Sequence, residues 1–130
     1  MKAEDENVAI GRKLFDAFAS GDLDTARALC AEGFRGQQNG GKAMDVASLL
    51  RFTAAVRAAV PDFRYEDALC EPTPTGFVEE HVVRGTLPDG SALAIHACVV
   101  GEVQGGRITA LREYLDSGAA AGLIAALSPG

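Results

Sequence analysis

The chain has 130 residues, twelve lysines and arginines against eighteen aspartates and glutamates, and a formal net charge of −6. That length supports a core without metals or disulfides, while the acidic balance and scattered basic residues exclude a phosphate-tracking surface, so no nucleic-acid partner is expected. Three well-separated cysteines, two histidines and no CxxC pair point to buried thiols in a reducing compartment, with no metal and no cofactor expected.

In chain order, Val8, Leu14, Phe15 and Phe18 fall at helical spacing and predict a first helix over 5–19, ended by Gly21. Asp22 is placed to cap a short second helix whose inner face is Leu23, Ala26, Leu29 and Cys30, closed by Gly33. The run Gly36-Gln37-Gln38-Asn39-Gly40-Gly41 reads as a loop, because it combines residues that tolerate positive φ with side chains that bond their own backbone. A third helix is expected from about Ala43 to Ala59, stopping ahead of Pro61. Beyond it the periodicity becomes strand-like over 63–70, 76–86, 91–103 and 107–116, broken by Pro72-Thr73-Pro74-Thr75, Pro88-Asp89-Gly90 and Gln104-Gly105-Gly106. The tail 117–130 reads as a short helix closing one end of a cavity, or as a frayed terminus. Helices first and antiparallel strands second define an α+β order, and residues 1–130 are expected to form a single domain. No stretch approaches the roughly 20 apolar residues of a membrane helix. The charged start, Met1 to Asn7, lacks the layout of a secretory signal, so a cytoplasmic location without membrane contact is expected.

The turns decide which residues meet. Pro88-Asp89-Gly90 and Gln104-Gly105-Gly106 both suit three-residue hairpin loops ending on a left-handed glycine. In that register Val82 faces His96 and His96 faces Tyr114. One face then gathers Glu80, Arg84, His96, Arg112, Tyr114 and Asp116 among small residues such as Ala92, Ala94 and Cys98. The opposite face carries Phe77, Val83, Leu93, Ile95, Val99, Leu111 and Leu115. A two-residue Gly105-Gly106 turn would instead move His96 away from Tyr114. The polar face is either a solvated sheet surface, as antiparallel sheets often have, or a ligand site roofed by the helices. In the second case the large apolar face serves a homodimer through Phe77, Val83, Leu93, Ile95 and Val99. His81, by alternation, falls away from His96 and outside that site.

Gly21-Asp22-Leu23, Val60-Pro61-Asp62-Phe63, Gly85-Thr86-Leu87-Pro88-Asp89-Gly90, Gly106-Arg107-Ile108 and Glu113-Tyr114-Leu115-Asp116 together resemble the SnoaL-like group of the nuclear transport factor 2-like superfamily. That resemblance spans nearly the whole chain and implies a cone-shaped α+β fold, helices packed on a curved, mostly antiparallel sheet. Its relatives include polyketide cyclases, limonene epoxide hydrolases and ketosteroid isomerases, which act on apolar small molecules without a cofactor through pocket carboxylates, many of them as homodimers. Asp116 matches the terminal-strand aspartate of the cyclases and is implied as acid or base at a substrate carbonyl. His96 would orient it or donate to an enolate oxygen, and Tyr114, Arg84, Glu80 and Arg112 would bind the ligand. Alternatively Tyr114 packs its ring in the core, and the two arginines pair with Glu80 and Asp116.

Two family reactions fit less well. Epoxide hydrolases need an arginine and an aspartate two apart on an earlier strand, where the alignment offers Glu80 and Val82. Ketosteroid isomerases place an aspartate near Gly36-Gln37-Gln38, where this chain has amides. The expected activity is therefore an isomerase, cyclase or aldol-type step on a small apolar carbonyl compound. The alternatives are a non-catalytic binder of such a molecule and an interaction module with a collapsed cone.

Overall fold

The computed structural model describes residues 3–127. Helix α1 (Ala3–Ser20) buries Leu14, Phe15, Ala17 and Phe18 along one stripe, as the spacing predicts. Gly21, at φ 77°, turns the chain into α2 (Leu23–Leu29), whose first turn is capped by Asp22 accepting from the Thr25 amide at 3.1 Å. Helix α3 (Val46–Ala59) begins later than the sequence pattern suggests, because Asp45 caps it by accepting from the Ser48 amide at 2.8 Å.

Between α2 and α3 lies a strand that the sequence reading missed. The chain turns extended at Cys30 and forms β1 (Cys30–Gln38) instead of continuing helically to Gly33, so the expected loop at Gly36-Gln37-Gln38 is in part a strand. A glycine-rich, polar segment carries little β preference of its own. Its ladder comes from distant partners, in a parallel pairing that sets Arg35 beside Ala110 and Gln38 beside Glu113. The other strands follow the expected order: β2 (Arg64–Thr73), β3 (Gly76–Thr86), β4 (Ala92–Gln104) and β5 (Arg107–Leu115), giving one sheet ordered β1-β5-β4-β3-β2. Helix α4 (Ser117–Leu127) closes the described chain, and the expected tail over 128–130 lies outside the described residues.

The first hairpin is the three-residue loop expected, with Thr86 opposite Ala92 and Gly90 at φ 87°. The second is not. Gly105 and Gly106 both have positive φ, and Gln104 pairs Arg107 across a two-residue turn. An irregularity follows at once, with Val103 opposite Ile108 but Glu102 opposite Ala110, which leaves Thr109 as an extra residue on β5. The bulge restores the parity that the short turn would have changed. Cys98, rather than His96, therefore faces Tyr114, while Val82 faces His96 as expected.

The helices cover the large apolar face, and this overturns the expected arrangement of layers. Phe77, Val83, Leu93, Ile95 and Val99 are all buried within the single chain, Phe77 completely. They pack beneath α1, α3 and α4 in two core clusters. A face already covered by its own helices cannot also join two subunits, so a homodimer through these residues is withdrawn. Among the described residues no helix is long and apolar enough to cross a membrane.

Candidate functional site

The inward-facing side chains follow from the pairing. Across the sheet, Phe77, Gly101 and Leu111 form one row, Glu79, Val99 and Glu113 the next, and His81, Ala97 and Leu115 a third. Between these rows and the helices is a cavity of about 280 Å³ walled by residues that include Phe15, Phe52, Tyr65, Val83, Ile95 and Leu111. Few polar side chains reach it, among them Gln38, Asn39, Thr53 and Glu113.

Glu113 is the carboxyl group of this wall. It projects from β5 between Leu111 and Leu115, and Gln38 Nε2 donates to its Oε1 at 2.7 Å. Burial raises its pKa above the usual carboxylate value, against the smaller opposing effects of the Gln38 hydrogen bond and the His81 charge. Asn39 fixes the neighbouring backbone: its amide donates to the Glu113 carbonyl at 2.7 Å, and its side chain exchanges hydrogen bonds with the Leu115 backbone at 3.0 and 3.1 Å. β1 thus holds Gln38 against Glu113.

Deeper in the same face, Glu79 and His81 are 2% and 3% exposed, with His81 Nδ1 2.7 Å from Glu79 Oε2. The imidazole is bounded by Tyr65, ring centroids 4.3 Å apart, and by the edge of Phe15 at 5.0 Å. Burial, reinforced by the Glu113 and Glu79 charges, holds the Tyr65 hydroxyl far above its ordinary pKa, so it stays protonated.

The six residues nominated from the sequence lie on the other side of the sheet, which the helices leave uncovered. Glu80, His96, Tyr114 and Asp116 do meet, around a shallow open groove that also touches Asp67 and Cys98. Arg84 and Arg112 do not join them: Arg84 pairs with Glu66 at 3.3 Å and Arg112 with Glu102 at 3.0 Å, instead of with Glu80 and Asp116. His96, Tyr114 and Asp116 are exposed, Tyr114 by 48%. The Asp116 carboxylate accepts from the Gly118 amide at 2.9 Å and caps α4. The expectation that these residues sit beneath the helices in an apolar pocket is therefore corrected. The misplacement came from assigning the small-residue face to the cavity, when large side chains can line a cavity as well as fill a core. Glu79, His81 and Glu113 were missed for the same reason, although their alternation with Phe77, Val83, Leu111 and Leu115 placed them on the apolar face. Asp116→Ala should lower the thermal unfolding midpoint through a loss of about 1 kcal/mol of capping energy. An unchanged midpoint would show that the cap contributes nothing.

The three free cysteines are Cys30, Cys70 and Cys98. Burial pushes the Cys30 and Cys70 thiols up to about 11, whereas Cys98 is only partly buried, contrary to the expectation for all three.

Four helices packed on a mostly antiparallel five-stranded sheet, with a cavity between the layers, give the chain a nuclear transport factor 2-like α+β fold. The model of the SnoaL-like domain matches residues 12–111, and the chain belongs to that family. Solved structures share the fold at low identity. A candidate polyketide cyclase from Xanthomonas campestris pv. campestris is 20% identical, with a TM-score of 0.82 over 98% of this chain and 100% of that one. An epoxide hydrolase of the LEH-like type from M. tuberculosis is 19% identical, with a TM-score of 0.76 over 99% of this chain and 100% of that one. A nuclear transport factor 2-like protein from Burkholderia xenovorans LB400 is 19% identical, with a TM-score of 0.77 over 97% of this chain and 98% of that one. No curated protein matches the chain.

Proposed function

We propose that this protein binds a compact apolar carbonyl compound in the cone and moves a proton at the carbon beside the carbonyl, with Glu113 as acid and base. The observation that carries this reading is a carboxyl group with a raised pKa, held by Gln38, on the wall of an otherwise apolar cavity. A carboxylate with a raised pKa is a stronger base than a solvated one, which suits proton exchange with a carbon acid. The cavity, at about 280 Å³, is just below the roughly 300–1,000 Å³ typical of small-molecule sites, which favours mono- and bicyclic ligands. A cyclase, an isomerase and an aldol-type catalyst all share that proton transfer as a first step. The family membership and the cyclase-like fold support the class of reaction, and Glu113 replaces Asp116 as its acid/base.

Deuterium exchange tests this without knowledge of the natural substrate. Incubated with 2-tetralone in deuterated buffer, the protein should accelerate deuterium incorporation beside the carbonyl over the buffer rate, as read by mass spectrometry. Binding without exchange, across cyclic ketones of this size, would favour a non-catalytic carrier. No binding and no exchange would overturn the proposal.

A further inference from the structure

The mouth of the cavity is marked by side chains that both line it and reach the surface. Phe15, Val99 and Leu111 line the cavity and are buried, so they belong to its floor. Asn39, Ser117 and Ile124 line it and are exposed, and Met44 and Phe52 line it and are half-buried. The mouth therefore lies between α3, α4 and the segment that joins β1 to α3. Within that segment, over residues 40–44, Met44 alone lines the cavity.

The segment is fixed at both ends and lightly held between them. Asn39, at φ 51°, is tied to β5 by its backbone amide and by both polar atoms of its side chain, and Asp45 caps α3. Between these anchors the chain folds back on β1 through one isolated bridge, in which Gly36 and Met44 exchange backbone hydrogen bonds at 2.8 and 2.9 Å. The Gly41 amide also donates to the Gln38 carbonyl at 2.9 Å, and Gln37 Nε2 donates to the Gly41 carbonyl at 2.9 Å. An isolated bridge has no neighbouring rungs to support it, so it opens locally without disturbing the sheet. Next to it the chain has room to swing. Gly40, Gly41 and Lys42 are exposed, and a Cβ added at Gly40 would meet nothing within 4 Å. At φ 70°, Gly40 takes a conformation that glycine leaves and re-enters at little steric cost.

We infer that residues 40–44 are the gate of the cone, with the Gly36–Met44 bridge as its latch and the Met44 side chain as its plug: a compact apolar ligand enters when the bridge opens and is packed beneath Met44 when it closes. The inference rests on the cavity being a ligand site, as proposed above, and adds the route by which that site is filled. An unbranched, flexible thioether suits a plug that must fit against ligands of different outline. The position of the hinge protects the site during opening. Asn39 stays bonded to β5, so Gln38 and Glu113 keep their geometry while Met44 moves away. Closure then expels water from around the carboxyl group, as lids over reacting groups do.

Amide hydrogen exchange of the wild-type protein, read residue by residue by NMR, tests the gate with 2-naphthol, which has the outline of 2-tetralone and no ketone to react. With the probe at about ten times its Kd, exchange at the Met44 and Gly36 amides, which form the latch, should slow about tenfold, because the filled cone holds the latch shut. Unchanged exchange at both amides in the presence of bound probe would overturn the gate and leave the cavity reading standing. Slowing confined to Ala120, whose amide donates to the Asp116 carbonyl at 3.1 Å, would also overturn it and make α4 the moving part. No binding of the probe would overturn the gate and the cavity reading together. A second measurement separates a gate from a mere contact. Two glycines inserted after Gly41 lengthen the segment at an exposed point and keep every residue of the site. Stopped-flow fluorescence should then show association and dissociation of 2-naphthol accelerated by about the same factor, with Kd nearly unchanged. Faster dissociation with unchanged association would mean that the segment only touches the bound ligand, and would overturn its role as the gate.

Discussion

Phe77→Ala is expected to lower folding stability by about 3–5 kcal/mol, measured from the shift of the denaturant midpoint. The side chain is 0% exposed and lies in the larger core cluster with Leu14, Phe15 and Phe18 of α1. It also rests on two glycines. A Cβ added at Gly11 of α1 would come within 2.8 Å of the Phe77 ring, and one added at Gly101 of β4 would overlap it. The phenyl group therefore fills the space that both glycines leave, and it joins the first helix to the centre of the sheet. Removing it opens a cavity that the neighbours cannot fill, since neither glycine has a side chain to move in, so the loss should fall high in the usual range. The converse substitution follows from the same contact. Gly101→Ala should cost about 1–3 kcal/mol by overpacking, and Phe77→Leu in the same chain should recover part of it. A loss below about 1.5 kcal/mol for Phe77→Ala would mean that α1 re-docks without the ring.

The apolar alternation of β3, β4 and β5 was legible because each strand meets a sequence neighbour across a short turn, so pattern and pairing agree. The parity between His96 and Tyr114 came out as expected through two departures that offset each other, a two-residue turn at Gly105-Gly106 and an extra residue at Thr109. Strand β1 was hidden because its stabilisation is non-local. Gln38 has no local reason to be extended, and acquires one only when Glu113, 75 residues later, lies beside it. The candidate site was misplaced by one choice, which face the helices would cover. Alternation separates two faces but does not say which of them is roofed. Glu79, His81 and Glu113, charged or polar residues on the strongly apolar face, were the available signal. A partly buried carboxylate between Leu111 and Leu115 is costly to desolvate and is more informative than an aspartate at a strand end, which is where helix caps are found.

Glu113→Gln is expected to reduce ketone deuterium exchange by about 10²–10⁴-fold while leaving ligand binding nearly intact. The amide is close to isosteric and can still pair with Gln38, but it cannot take a proton from carbon. Two pH dependences accompany that loss, and both follow from the direction of the Glu113 shift. Exchange by the wild type should rise with pH through a midpoint above the roughly 4.3 of an unperturbed glutamate, because the base is the ionised form. Stability should run the other way. The folded protein holds the Glu113 proton more tightly than the unfolded chain does, so the stability linked to this group is fully present below the unfolded pKa and is lost as pH rises through the folded one. The variant has no proton to lose there. The stability of wild type relative to Glu113→Gln should therefore fall as pH rises from about 4 through the raised midpoint, and level off above it. Urea titrations of both proteins across that window measure the difference directly. A difference independent of pH would show that Glu113 is solvated in the folded state, and the chemical argument for it as the base would fail together with the electrostatic one. A pH-dependent difference combined with undiminished exchange would separate the two: the carboxyl group would be desolvated, and the proton would be taken by another group in the cone.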